Sequence, residues 1–200
     1  MRTIILASNN EHKIIEFNEM FKDCKILSLK DIGFFDDIEE NGLTFLDNAK
    51  IKAEATKKYT TKHNILGDII ADDSGLCVNS LNGEPGVYSA RYAGGHGNFE
   101  ECRRKLIENM KGKKDRTAYF TTVLYEIKND GTILTADGKT FGEILEKETG
   151  KTDFCYDCIF YSNELNKSFG EATLQEKNSV SHRSRAIKNL LEKEQKIENM

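Results

Sequence analysis

The stretch Ile69-Ile70-Ala71-Asp72-Asp73-Ser74-Gly75-Leu76 concentrates the most chemistry in the fewest residues. An apolar run ends in two adjacent carboxylates, then a hydroxyl, then a glycine. Successive side chains of a strand point to opposite faces, so Asp72 and Asp73 must diverge. One can meet a ligand while its neighbour anchors the surroundings. Carboxylates at the end of an apolar strand suit a hard cation, and a glycine beside them permits a tight turn near a phosphate. An ordinary strand-to-turn junction uses the same residue types, so this stretch does not decide the matter alone.

Two further constellations add weight. Ser8-Asn9-Asn10 separates an apolar run over 3–7 from a helical pattern carrying Ile14, Ile15, Phe17, Met20 and Phe21. Ser8 or Asn10 fits the N-cap of that helix. A helix that starts directly after a strand presents free N–H groups and a positive dipole end, which favour phosphate. Lys13 falls in the first turn, where the dipole disfavours a cation, so its presence hints at an anion nearby; the bland alternative is a solvated surface lysine. On a second helix, predicted over 44–63, Asn48 and Lys52 are four apart and share one face. The acidic loop before it, with Asp36, Asp37, Glu39 and Glu40, reads as a solvated run.

The remaining pattern supplies the scaffold. Strands are predicted over 25–29, 68–71, 77–79, 118–127, 132–135, 139–145 and 158–161. Helices are predicted over 98–110 and 182–196, with one helical turn over 171–178. Asn129-Asp130-Gly131 marks a hairpin. Turns or loops cover 81–86, 93–97 and 150–157. Helix–strand alternation followed by a hairpin-rich middle indicates an α/β or α+β chain with a mixed sheet. At 200 residues it is long enough for one domain or two closely joined lobes.

A net charge of −4 gives no global signal for nucleic acid. No apolar run is long enough to span a bilayer, and the N-terminal one is too short for a signal peptide, so a cytoplasmic protein is expected. Five cysteines, an odd number and mostly scattered, fit reduced thiols. Cys155 and Cys158 form a C-x-x-C, but no second ligand pair suggests zinc. A redox motif would open a helix, whereas this pair leads into Ile159-Phe160-Tyr161, which reads as a strand.

Six stretches together resemble the Ham1/RdgB-like inosine triphosphate pyrophosphatases. They are Leu6-Ala7-Ser8-Asn9-Asn10-Glu11-His12-Lys13, Glu39-Glu40-Asn41-Gly42-Leu43-Thr44-Phe45, Ala71 to Leu76, Gly86-Val87-Tyr88-Ser89-Ala90-Arg91-Tyr92-Ala93-Gly94, Asp153-Phe154-Cys155-Tyr156-Asp157 and Glu176-Lys177-Asn178-Ser179-Val180-Ser181-His182-Arg183. They occur in family order along the chain. The resemblance implies a single domain of two lobes around a long mixed β-sheet, with 115–150 in the second lobe. A nucleotide cleft between the lobes and a homodimer are also implied. The implied reaction converts non-canonical purine nucleoside triphosphates to monophosphate and pyrophosphate with Mg²⁺.

The resemblance also implies roles. Ser8, Asn9, Asn10, Glu11, His12 and Lys13 would cradle the triphosphate, and Lys52 would contact phosphate. Glu39 and Asp73 would bind metal, Asp73 acting also as general base, with Asp72 in support. Ser74 would touch substrate. Phe154 would stack on the purine, within the stretch Phe154, Cys155, Tyr156 and Asp157. Asp157, Lys177, His182 and Arg183 would line the polar edge of the base. The chain departs from the family at Cys155, where relatives have glycine, at Cys158, where they have proline, and at Asn9, where many have glycine. Three other readings compete: a Maf-like nucleotide pyrophosphatase, a catalytically silent nucleotide-binding or redox module, and an aspartyl-phosphate phosphatase. The Ser181-His182-Arg183 ending opposes the first, and intact Lys13, Glu39 and Asp73 oppose the second. Asp72 and Asp73 are adjacent and far along the chain, where the third would want carboxylates two apart near the N-terminus.

Overall fold

A computed structural model describes residues 1–95, 97–151 and 154–199. His96 in the 93–97 loop and Asp153 in the fifth motif lie outside the described residues. In chain order the elements are β1 (Arg2–Leu6), α1 (Glu11–Met20), β2 (Cys24–Leu27), α2 (Phe45–Lys62), β3 (Asp68–Val78), α3 (Phe99–Asn109), β4 (Thr117–Ile127), β5 (Ile133–Ile144), β6 (Phe160–Ser162), β7 (Lys167–Ser168), α4 (Leu174–Val180) and α5 (His182–Glu198). The strands form one seven-stranded sheet in the order β2-β1-β3-β4-β5-β6-β7. It is mixed: β1 runs parallel to β2 and β3, while β6 runs antiparallel to β5 and β7. No described helix is long and apolar enough to cross a membrane.

The chain folds as two compact units. The first comprises Met1–Asp73, Val123–Asp137 and Ala186–Met200; the second comprises Ser74–Thr122 and Gly138–Arg185. Residues 123–137, inside the stretch expected in a second lobe, thus belong to the first unit.

In the first unit the period of two sorts the strands' side chains between two cores. Ile5, Ala7, Ile69, Ala71, Tyr125 and Ile127 pack with Ala49 and Ala53 of α2. Their neighbours Ile4, Leu6, Ile70 and Leu124 pack with Phe17 and Phe21, and with Ala186, Ile187 and Leu190 of α5. Each fully buried Ile, Leu or Phe contributes about 1.5–3 kcal/mol, so this sorting holds α2 against one face and α1 and α5 against the other. The second unit has its own core. Leu76 and Val78 of β3 meet Phe120, Phe160, Phe169, Leu106 and Cys102 there. Phe120 and Phe160 pack with ring centroids 4.7 Å apart.

Side-chain caps fix the helix starts, and of these only the one at α1 was read as a cap from the sequence. Asn10 accepts from the Lys13 N–H at α1, Thr44 closes a capping box with Asp47 at α2, and Asn98 caps α3. Three expectations need correction. Gly75 does not turn the chain: β3 runs eleven residues through Ser74-Gly75, because Leu76 and Val78 continue the burial and neighbours β1 and β4 flank the strand. The strands expected over 132–135 and 139–145 are one strand, β5, whose alternating burial is unbroken across Asp137-Gly138. Residues Asp157–Ile159 form a short 3₁₀ turn that only then enters β6.

At the edge of the α1/α5 face, Arg2 of β1 gathers three carboxylates. It donates to Asp68 Oδ2 at 2.8 Å, to Glu126 Oε1 at 2.6 Å and to Glu194 Oε1 at 2.7 Å. Burial, reinforced by the Glu194 charge, pushes the Glu126 carboxyl up to about 8. Burial also acts to raise Glu194, but Arg2 and Lys128 outweigh it and hold that carboxyl below its ordinary value. A carboxyl raised in the fold contributes stability fully below its unfolded value and loses it as pH climbs through the folded one. For Glu126 that window runs from 4.5 to about 8. Glu194 acts oppositely, contributing above its ordinary value and losing that contribution only in acid. Glu126→Gln should therefore stabilise more at pH 8 than at pH 5, read from urea unfolding midpoints. An equal change at both pH values would show that Glu126 does not titrate in this window.

Candidate functional site

The sorting that builds the first core also directs the two carboxylates. Asp72 follows Ile70 toward α1, where Lys13 Nζ meets its Oδ1 at 2.9 Å. Asp73 follows Ile69 and Ala71 toward α2, where Asn48 Nδ2 donates to its Oδ2 at 3.1 Å. Lys52 Nζ, one helical turn further, lies 3.6 Å from Asp73 Oδ1. Both aspartates are buried, at 1% and 8% exposure. The anion implied by a lysine in the first turn of α1 is thus Asp72.

The Lys52 ammonium also lies 2.9 Å from Glu40 Oε2. A single cation therefore sits between two carboxylates, Glu40 and Asp73. Burial works against the charged lysine, yet Asp73, Glu40 and Asp72 outweigh it and hold Lys52 above the usual lysine range. Burial likewise pushes the Asp73 carboxyl above its ordinary value, with Lys52, Lys13 and Asn48 pulling down and Glu40 pushing up. The acidic loop does face Asp73, but through Glu40; Glu39 is exposed. The resemblance implied Glu39 as the metal ligand, and its neighbour Glu40 is the one that pairs with Lys52. No local signal separates them, because the loop has no regular period from which to assign faces.

The loop Ser8-Asn9-Asn10 is held by its own side chains. Ser8 Oγ accepts from the Asn10 N–H at 3.1 Å, and Asn9 Oδ1 accepts from the Lys30 N–H at 2.8 Å. Asn9 is not among the described residues with positive φ, so it replaces a glycine here without left-handed backbone. Glu11 and His12 are exposed at the start of α1.

A second group of predicted residues lies within the second unit. Lys177 Nζ pairs with Asp157 Oδ2 at 2.7 Å and stands 4.4 Å from the centre of the Phe154 ring. Arg183, 1% exposed, donates through Nη2 to Ser74 Oγ at 3.1 Å. Ser74 Oγ also shares a hydrogen bond of 2.8 Å with Thr122 Oγ1. His182 stacks on Phe120 at 4.9 Å between centroids. Ser181 caps α5 by accepting from the Ser184 N–H, which fixes where His182 and Arg183 emerge. Tyr156 belongs to the core, and its hydroxyl donates to the Ser89 carbonyl at 2.9 Å.

Cys155 adopts φ 35°, in the region that favours glycine. Its carbonyl accepts from Arg103 Nη1 at 2.9 Å, and Arg103 is fixed in turn by Glu148 at 2.6 Å. Arg103 was not singled out in the sequence. An arginine beside Cys102, on the face of α3 that also carries Leu106, was the available signal. Both thiols of the C-x-x-C are raised by burial, Cys158 to about 11 and Cys155 further still, and neither forms a disulfide. A raised thiol is a poor nucleophile at neutral pH, which opposes a redox role.

The Lys177–Asp157 pair is buried at both ends, so removing one partner strands a charge. Lys177→Met should cost about 3–5 kcal/mol in chemical denaturation. A loss below about 1 kcal/mol would mean that the pair behaves as an exposed one.

A model described as the Ham1 family matches residues 4–193. A dITP/XTP pyrophosphatase of Clostridium perfringens (strain 13 / Type A) is 46% identical over 195 residues, covering 95% of this chain and 96% of that one. One of the same name from Thermoanaerobacter pseudethanolicus is 42% identical over 191 residues, covering 94% and 93%. Among solved structures, the Staphylococcus aureus Ham1 protein superposes with a TM-score of 0.84 at 38% identity, over 98% of this chain and 100% of that one. A HAM1 protein from Coxiella burnetii gives 0.83 at 38% identity, over 95% and 96%. Matched almost from end to end in both sequence and fold, this chain belongs to the Ham1 family.

Proposed function

We propose that this protein hydrolyses non-canonical purine nucleoside triphosphates, such as those of inosine, deoxyinosine and xanthosine, to the monophosphate and pyrophosphate. The observation that carries this reading is the Lys52 ammonium held between Glu40 and Asp73, with a second lysine, Lys13, on Asp72 one residue before. Two lysines among three carboxylates leave the cluster net negative, which favours a divalent cation that would bring phosphate oxygens within reach of both lysines. The names of the relatives supply the substrate class.

A divalent cation fits these residues. Two carboxylates, Glu40 and Asp73, already share one cation, the Lys52 ammonium. That suits Mg²⁺, which takes one or two carboxylates and completes its shell with waters and substrate phosphate. Glu40 and Asp73 would hold it, and when bound it would polarise the phosphate under attack and offset charge on the leaving pyrophosphate. Asp73 accepts the proton of the attacking water. Asn48 and Lys52 hold the carboxylate that would take this proton. Lys13 and Lys52 stabilise charge that develops on the leaving group.

Recognition of the base falls, on this reading, to Phe154, Asp157, Lys177, His182 and Arg183. Phe154 offers a ring face, and Lys177, His182 and Arg183 bring donors. Hypoxanthine and xanthine carry a keto oxygen at position six that accepts, whereas adenine carries an amino donor. Buried donors that lose their acceptor penalise the wrong base, by as much as on the order of 10⁴ in kcat/KM. The family resemblance adds a homodimer in a cytoplasmic setting.

Pyrophosphate release should be measured with Mg²⁺ on inosine, xanthosine, adenosine, guanosine and thymidine triphosphates side by side. The first two should be turned over at least about 100-fold better in kcat/KM than the adenosine substrate. Asp73→Asn should lower kcat by about 10³-fold or more with the fold intact. Preference for the thymidine substrate would move the protein to a Maf-like activity. Near-normal turnover by Asp73→Asn would remove Asp73 from the base role.

A further inference from the structure

Asn48 is fully buried in the first turn of α2, a place where a polar side chain must find partners. It has two, on different segments. Its Oδ1 accepts from the Gly42 N–H at 2.8 Å, and its Nδ2 donates to Asp73 Oδ2 at 3.1 Å. Chemistry fixes this orientation: a backbone N–H can only donate and a carboxylate can only accept, so the amide cannot be flipped. Neither Asp nor Leu, the residues closest in size, can replace it. Asp brings two acceptors and Leu brings none.

The Gly42 end is as constrained as the Asp73 end. A Cβ at Gly42 would lie 2.7 Å from Asn48 Oδ1 and 2.6 Å from Asp47 Cβ, so the loop backbone presses directly on the start of α2. Glu40, two residues earlier on that loop, reaches Lys52 one turn further along the same helix. The amide thus ties the loop that carries Glu40 to the strand that carries Asp73.

We propose that Asn48 is a positioning residue for the hydrolytic step. Its amide holds the Asp73 carboxylate in one orientation by engaging Oδ2, and it fixes the Glu40 loop relative to that carboxylate. The proposal rests on the reading of Asp73 as the general base. Asn48 touches neither substrate nor water in this account; it acts through Asp73.

The test is a double-mutant cycle with deoxyinosine triphosphate under saturating Mg²⁺, with kcat and KM measured separately. Asn48→Ala should lower kcat by about 10- to 100-fold, the loss expected when a hydrogen bond to a charged group is removed. KM should change by less than kcat does, because saturating Mg²⁺ offsets any loosening of the Glu40 loop and Asn48 itself does not touch substrate. In an Asp73→Asn background, measured by single turnover, Asn48→Ala should add little further loss. Asn48→Ser withdraws the donor from Asp73 Oδ2 without adding a charge beside it and carries the test if the alanine variant fails to fold; it should show the same loss in kcat. Wild-type kcat in the Asn48 variants, a loss confined to KM, or an undiminished loss in the Asp73→Asn background would each overturn the proposal. The two readings separate cleanly. Inactive Asp73→Asn with fully active Asn48 variants defeats only the positioning role, whereas active Asp73→Asn defeats the base assignment on which it rests.

Discussion

Two adjacent carboxylates repel each other and resist leaving water, yet β3 buries both Asp72 and Asp73. The pleat makes this possible. Because neighbours on a strand diverge, each aspartate enters a different layer and can be given its own cation without competing for one. Asp72 takes Lys13 from α1, and Asp73 takes Lys52 and Asn48 from α2. A helix in the same place would turn the two side chains only about 100° apart and offer them one neighbourhood. The strand is therefore what lets the two adjacent carboxylates be buried in different layers, one against α1 and the other against α2.

That arrangement demands that both helices be held closely, and the packing shows how. Ala49 and Ala53 put small side chains on the face of α2 that meets Ile5, Ile69 and Ala71. The interleaved positions Asn48 and Lys52 are thereby delivered to Asp73. Phe17 and Phe21 do the corresponding work for α1 on the other layer, bringing Lys13 toward Asp72. Caps fix where each helix begins, at Asn10 and Thr44, so Lys13 and Asn48 stand within four residues of a specified start. Breaking one of these buried pairs would expose the full desolvation cost of the survivor, which is why apolar packing and charge placement cannot be separated here.

What was legible in the sequence follows from where periodicity operates. Alternation along Ile69 to Asp73 foretold the divergence of the two aspartates, and helical spacing placed Asn48 and Lys52 on one face. Ser8 and Asn10 before an apolar periodic run marked the start of α1. Periodicity gave no help in the loop 36–43, and there the choice between Glu39 and Glu40 had to come from three dimensions: Glu40 is the one that reaches Lys52. Gly75 misled for a related reason. Its turn propensity is a local property, whereas the burial of Leu76 and Val78 and the flanking strands are tertiary and prevail. The two-residue strand β7 is shorter than any pattern can register.

The C-x-x-C shows how a departure from family pattern can be absorbed without acquiring a new role. Cys155 occupies a backbone conformation that costs an L residue about 1–2 kcal/mol, and such a conformation persists only when the surroundings determine it. They do so from several sides. Arg103 grips the Cys155 carbonyl, the Asp157 N–H returns to the Phe154 carbonyl, Gly170 donates to Asp157, and the Tyr156 hydroxyl ties the turn to Ser89. The turn holds the half-buried Cys155 in a conformation that favours glycine, and desolvation raises its thiol above the ordinary cysteine range. The same hydrogen bonds that hold Cys155 in this turn leave Phe154 and Asp157 where Lys177 engages both.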